Sequence, residues 1–332
     1  MRPAQGAVVL AATVMAGLAP AAGSDAAADP ARSTAQAVTA ACQVTATIPV
    51  GSGPLRAAVN SKTNAIYVTN EDGGTVSVIS GLTNTVVATI GAGTLPQGVA
   101  ANPWTNKIYV AATHDDEVSV INGRTNTVVA TVPVGMAPEG VAVDPRTNTV
   151  YASNTNSDTV SVINGRTNTV VATIPLRASP QQLATDPRTN TTYVALSNRT
   201  VAVINGRTNT VVARVPVGHQ PTGVAVNPRT RTIYVGNELD GTVSVISGRT
   251  NTVVATIPVG SFPAGVAVNP NANTIYVSNA NSNAVSVING LTNEVVTTVA
   301  ASNPFGIATN PQTNITYATD FSGDTVSVLT SC

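Results

Sequence analysis

Aromatic residues make up 3% of this 332-residue chain and charged residues only 10%. Trp104 is the one tryptophan, and there are three phenylalanines. So few flat side chains argue against specific reading of single-stranded nucleic acid, which depends on stacking bases on aromatic rings. Histidine occurs twice, at His114 and His219, and cysteine twice, at Cys42 and Cys332. No Gly-x-Ser-x-Gly elbow accompanies them, so no nucleophile motif is present. The apolar stretch from Gly6 to Leu18 is too short to span a bilayer and nothing downstream is longer, which excludes a transmembrane segment. From about residue 46 onward, no segment places apolar residues at helical spacing.

What the chain has instead is a repeat. All seven tyrosines, Tyr67, Tyr109, Tyr151, Tyr193, Tyr234, Tyr276 and Tyr317, follow one another at intervals of 41 or 42 residues. Such regularity sets the architecture before any single residue does. Positions identical in every copy serve the scaffold, so function is to be sought where the copies differ.

The third copy is typical. Gly140 to Pro145 is a short apolar run ended by proline, and Thr149 to Asn154 is a second run rich in β-branched and aromatic residues. Thr159 to Ile163 alternates small polar with apolar residues, the period of a half-buried strand. Asn164-Gly165 marks a tight turn, and Thr169 to Ile174 is a fourth strand. Four strands per unit, seven times, predict an all-β, seven-bladed β-propeller with four antiparallel strands per blade. The last unit stops after its third strand, Thr325 to Leu329, while Val44 to Gly51 matches the fourth-strand pattern Val128 to Gly135. The N-terminal strand is therefore expected to complete the last blade, an arrangement for which a linear β-solenoid has no use.

Tyr67-Val68-Thr69-Asn70 spells YVTN, with Tyr276-Val277-Ser278-Asn279 and Tyr234-Val235-Gly236-Asn237 as close variants. With Val-Ser-Val-Ile and Thr-Asn-Thr-Val-Val-Ala recurring, residues 44–330 resemble the YVTN-repeat seven-bladed propellers of bacterial secreted and archaeal surface-layer proteins. The resemblance implies the fold. For function it implies a set of binding proteins with a few distant enzyme relatives.

Residues 1–23 read as a secretory signal, with Met1-Arg2 before the apolar stretch and Ala19-Pro20-Ala21-Ala22 for cleavage. Residues 24–41 are rich in Ala, Ser and Asp and are expected to be a disordered linker, leaving 42–332 as the propeller. The mature protein is expected outside the cell or at its envelope, as a soluble monomer. Aligned on a complete blade, Cys332 falls at the position of Arg124 and Cys42 at that of Asn126, within one hairpin turn. Their Cα atoms should lie around 5–7 Å apart, which predicts a disulfide. Loop-entropy arithmetic gives that bond roughly 5–6 kcal/mol at most.

Formal net charge is zero, yet the charges separate. In a propeller the loops joining strand four to strand one and strand two to strand three share one face, here called the top. They hold most of the acids, among them Glu71, Asp115, Asp116, Glu139, Glu238 and Asp240. The lower face holds most of the bases, in Asn-Pro-Arg-Thr-Asn and Asn-Gly-Arg-Thr-Asn turns copied with little change. On the top face the residue after the loop proline varies, running Leu55, Gln97, Glu139, Gln181, Thr222, Ala264, Phe305. One residue further on, Arg56 and Gln182 replace a glycine found at 98 and 140. Arg56, Gln97, Glu139, Gln181, Gln182 and His219 are the predicted ligand-binding constellation over the central channel.

His219 and Glu139 are the candidate catalytic pair, able to act as acid and base or to hold a divalent metal over the channel. Secreted seven-bladed lyases that open cyclic antibiotics look similar in fold, and use a metal near paired histidines and a glutamate. No Glu-x-His pair stands in this chain, so no metal site is assigned and no cofactor is expected. Asn154-x-Asn156-x-Asp158 and Asp320-x-Ser322-x-Asp324 have spacings that can wrap calcium, but lack the following glycine and distal glutamate. The sequence thus reads as an exported, non-catalytic binding scaffold for a protein, peptide or cell-envelope polymer. A lyase or hydrolase with its site on the acidic face is the alternative.

Overall fold

The computed structural model describes residues 42–330. The expected signal segment 1–23, the linker 24–41 and Cys332 lie outside the described residues. Seven four-stranded antiparallel sheets follow one another along the chain. The first blade is Pro54–Asn60, Ala65–Asn70, Thr75–Ser80 and Thr85–Gly91, from channel to rim. The last is Pro304–Asn310, Ile315–Asp320 and Thr325–Thr330, completed on its outer edge by Gln43–Pro49. Ile48 faces Val326 and Val44 faces Leu329 in that pairing. The innermost strands contact their neighbours all the way round, and Pro304–Asn310 packs on Pro54–Asn60. The ring is closed, and the chain is a seven-bladed β-propeller.

The core lies between blades. Tyr109, Val118, Val120 and Val132 of one blade pack on Val141, Val143, Val150 and Ala152 of the next. At the closure, Ile48, Tyr317, Val326 and Val328 of the last blade meet Ile66, Val68 and Ile79 of the first. No blade can bury its apolar faces alone, which is why the copies must stack and close.

Two turn features explain the copied residues. The asparagines ending the Thr-Asn turns, such as Asn126, Asn148 and Asn168, have φ of 54–56°, in the left-handed region that asparagine tolerates. Gly165 is required for a different reason. A Cβ there would sit 2.6 Å from Asn148 Oδ1 and 2.8 Å from Tyr109 Oη, because the Tyr109 hydroxyl reaches the Asn-Gly turn of the following blade, as those of Tyr67 and Tyr151 reach Gly123 and Gly206. Burial pushes the Tyr109 hydroxyl up to about 12.

One sequence expectation changes. The alternating third strand reads as half-buried, but Val160, Ser161, Val162 and Ile163 are all buried. Ser161 is polar because its hydroxyl accepts a 3.0 Å hydrogen bond from the Asn154 amide. The alternation there serves an internal bond, and the solvent-facing strand is the fourth, where Val129, Val171 and Val254 are exposed.

Candidate functional site

The top face is held together by a recurrent device. A side chain in the strand-two to strand-three turn accepts a backbone N–H from the loop leading into its own blade or the next. Asp115 Oδ2 takes Thr94 N at 2.6 Å, Asp240 Oδ2 takes His219 N at 2.7 Å and Asp324 Oδ1 takes Gly53 N at 2.9 Å. Ser157 and Ser282 do the same for Met136 and Ser261. Aspartate and serine are interchangeable in this role, so much of the acidity of the face is turn chemistry.

Three glutamates are not used that way. Glu71, Glu139 and Glu238 line a central cavity of about 290 Å3 together with Arg56, Gln97, Gln181 and Gln220. Each carboxylate is matched to a carboxamide. Gln97 Nε2 donates to Glu71 Oε1 at 2.7 Å, and Gln220 Nε2 donates to Glu238 Oε2 at 2.8 Å. Gln181, with its amide nitrogen turned toward Glu139, lies 3.2 Å from both carboxylate oxygens. Thr222 donates to Glu238 at 2.8 Å, and the Thr155 hydroxyl lies 3.0 Å from Glu139. The opposite wall is apolar, formed by Leu55, Phe262 and Phe305. Phe305 stands between Phe262 and Phe321, at ring-centroid distances of 6.2 and 6.3 Å. The chain's only three phenylalanines thus gather on one side of the face.

Backbone anchors make the walls rigid. Hydroxyls in the second strand of one blade donate to rim carbonyls of the next: Thr69 to Gln97 O at 2.7 Å, Ser153 to Gln181 O at 2.6 Å and Ser278 to Phe305 O at 2.6 Å. Thr319 reaches Leu55 O at 3.2 Å across the ring closure.

Arg56 occupies the middle. Its glycine counterparts face a neighbouring backbone with no room for a side chain; a Cβ on Gly98 would meet Glu139 O at 2.4 Å. Arg56 instead extends across the channel, donating from Nη1 to Ala264 O at 3.0 Å with its guanidinium 5.1 Å from the Phe305 ring centroid. Among the described residues, no carboxylate lies within 4.0 Å of it. Its Nε is buried without a hydrogen-bond partner. Burial lowers the Arg56 pKa, while the field of Glu139, Glu238 and Glu71 opposes that shift. Burial likewise raises Glu139, against the pull of Arg56 and the Thr155 hydrogen bond and with a push from Glu71. Glu238 is raised by burial too, opposed by its Thr222 bond and by Arg56.

Of the six predicted ligand-binding residues, Arg56, Gln97, Glu139 and Gln181 line this pocket. Gln182 lines the narrower channel cavity beneath it, which Arg56 also borders. His219 lies apart, in an adjoining depression with Arg199 and Leu239, its Nδ1 paired with Asp240 at 2.7 Å. The structure does not bring His219 into the cavity with Glu139; Gln181 and Gln220 border both spaces. Among the described residues, no group of three or more His, Cys, Asp or Glu side chains could hold a metal. Asp320 and Asp324 of the calcium-like spacing accept N–H groups of Gly323 and Gly53. The sequence reading did not group Glu71, Glu238, Gln220 and Phe262 with the site. For Glu71 and Glu238 the signal was available in the residue after the Tyr-containing strand, which runs Glu71, Thr113, Thr155, Ser197, Glu238, Ala280, Phe321, and for Gln220 and Phe262 in the residue before the loop proline, which runs Gly53, Leu95, Ala137, Ser179, Gln220, Phe262, Asn303.

Residues 74–236 match a family model described as a YNCE-like beta-propeller. That match covers a little under half of the chain and agrees with the fold. Among solved structures, a chain of Kuenenia stuttgartiensis hydrazine synthase is similar with a TM-score of 0.75 and 19% identity, over 83% of this chain and 95% of that one. It is one of 1747 matching chains, so the likeness marks a widely used fold and selects no activity. No curated protein matches the sequence. No helix among the described residues is long and apolar enough to cross a membrane.

Proposed function

We propose that this protein is an exported, non-catalytic scaffold of the YVTN-repeat type, which presents its acidic face and central pocket to a protein, peptide or cell-envelope polymer. One observation carries the reading. The side chains lining the central pocket stand at positions where the seven copies differ, whereas the turns of the lower face are nearly interchangeable. A ring that needed only stability could repeat one rim residue seven times; this one carries carboxylates and carboxamides on one side and phenylalanines on the other. The test is retention of wild-type protein on purified peptidoglycan and on a displayed random-peptide library. Glu139→Gln with Glu238→Gln should abolish retention, and Arg124→Ala with Arg166→Ala should leave it unchanged. The reverse pattern would place the binding surface on the basic face and sink the reading.

A lyase or hydrolase is favoured by one specific feature, the pair Glu139 and Glu238, both raised by burial in one pocket. A carboxyl whose pKa is raised by burial holds its proton more readily than an exposed one, which suits it to act as a general acid. On this reading Glu139→Gln would abolish turnover of a peptide or glycan while leaving its binding intact.

A further inference from the structure

The pocket's hydrogen bonding is unbalanced in a way that specifies what it lacks. Each carboxylate already holds a neutral donor, and each paired carboxamide keeps its oxygen free, so the polar wall offers acceptors and a surplus of negative charge. The centre is the opposite. The Arg56 guanidinium spends one Nη1–H on Ala264 O and forms no ion pair with the glutamates around it; Nε is enclosed by protein, which leaves the Nη2 hydrogens for a ligand. A donor left unmatched away from water destabilises the site. A ligand that relieves this site carries a cationic donor for the glutamates, an acceptor for Arg56 within a few bonds of that cation, and an apolar body for Leu55, Phe262 and Phe305.

An amino-terminal residue has that layout: an α-ammonium group, a carbonyl oxygen two bonds from the α-carbon, and a side chain on the same atom. Capture of a chain terminus by a preformed polar nest is an established mode of peptide recognition. The cavity of about 290 Å3 equals roughly ten water molecules' share of liquid volume, which suits one residue and not a folded segment. Resting on the reading that the central pocket is the ligand site, we infer that it captures an apolar residue bearing a free α-ammonium group, with the ammonium among Glu71, Glu139 and Glu238 and its carbonyl oxygen accepting from Arg56. The residue is supplied either by a peptide N-terminus or by a free amino acid.

Calorimetric titration of the mature protein at neutral pH with four probes tests this. Phe-Gly-Gly amide and free phenylalanine carry the full layout, N-acetyl-Phe-Gly-Gly amide lacks the cation, and 2-phenylethylamine lacks the carbonyl. At least one of the first two should bind at least tenfold more tightly than both of the others, and which of the two is tighter identifies the source. Arg56→Met should bring the tighter full-layout probe and 2-phenylethylamine to within threefold of each other. Equal binding of the acetylated peptide, or no binding by any probe, overturns the inference. If the acetylated peptide binds and Glu139→Gln with Glu238→Gln abolishes that binding, the inference fails while the pocket stands as the ligand site. If a probe binds and that double variant keeps full affinity, both fail together.

Discussion

In five of the seven blades, the asparagine ending the innermost strand donates its Nδ2 to an asparagine Oδ1 in the next blade, at 2.6–2.8 Å. The bond from Asn310 to Asn64 carries this ladder across the ring closure. Asp144 occupies the same position in the third blade and has no amide hydrogen to give. Its Oδ1 accepts from Arg146 N at 2.8 Å, but Oδ2 is buried without a partner. The acceptor it would serve is in place. Asn190 Oδ1 lies under Gly206, 2.2 Å from where a Cβ would be, as Asn106 Oδ1 lies under Gly123. Asp144→Asn should therefore keep the Oδ1 contacts and add the missing inter-blade bond. One buried hydrogen bond contributes about 1 kcal/mol net, and removing an unsatisfied buried acceptor adds a similar amount, so the gain should be about 1–2 kcal/mol. For a domain of this size each kcal/mol moves Tm by roughly 2–4 °C, which predicts a rise of ~2–8 °C. Differential scanning calorimetry measures it, with Asn269→Asp as the reciprocal control that breaks the bond to Asn314. An unchanged or lowered Tm for Asp144→Asn, or no cost in the control, would refute the ladder as a source of stability.

Glu139→Gln should raise stability at neutral pH, because burial raises the Glu139 carboxyl in the folded state. A raised folded pKa means that the stabilisation from protonation is fully present below the unfolded value near 4.3 and is lost as pH rises through the folded value. The advantage of the variant should thus shrink on acidification and vanish below that range; urea unfolding across pH would show a constant or inverted gap if this is wrong. The expected Cys42–Cys332 bridge should leave no titratable thiol in the unreduced protein, and Cys42→Ser should lower Tm markedly, with a loss of stability of at most about 5–6 kcal/mol. Two thiols titrating before reduction would rule the bridge out.

Seven tyrosines at a fixed interval determined the architecture from sequence alone, because a unit that cannot bury its own faces must stack on copies of itself, and the matching end segments required closure. The Asn-Gly and Thr-Asn turns were equally legible, although only the packed ring reveals that Gly165 yields space to Tyr109 of the preceding blade. At the site, comparison of copies found Arg56, Gln97, Glu139 and Gln181, since rim positions follow from the strand pattern. It could not pair Glu71 with Gln97, because that pair joins two blades whose approach depends on blade tilt and channel width; Gln220 and Glu238 meet within one blade, where Pro221 pairs with Asn237, and needed the strand register. Nor could it separate His219 from Glu139, two rim residues whose side chains turn into neighbouring hollows. The repeat fixes where each backbone runs; which long side chains meet above the channel is decided by distances that exist only once seven blades have closed.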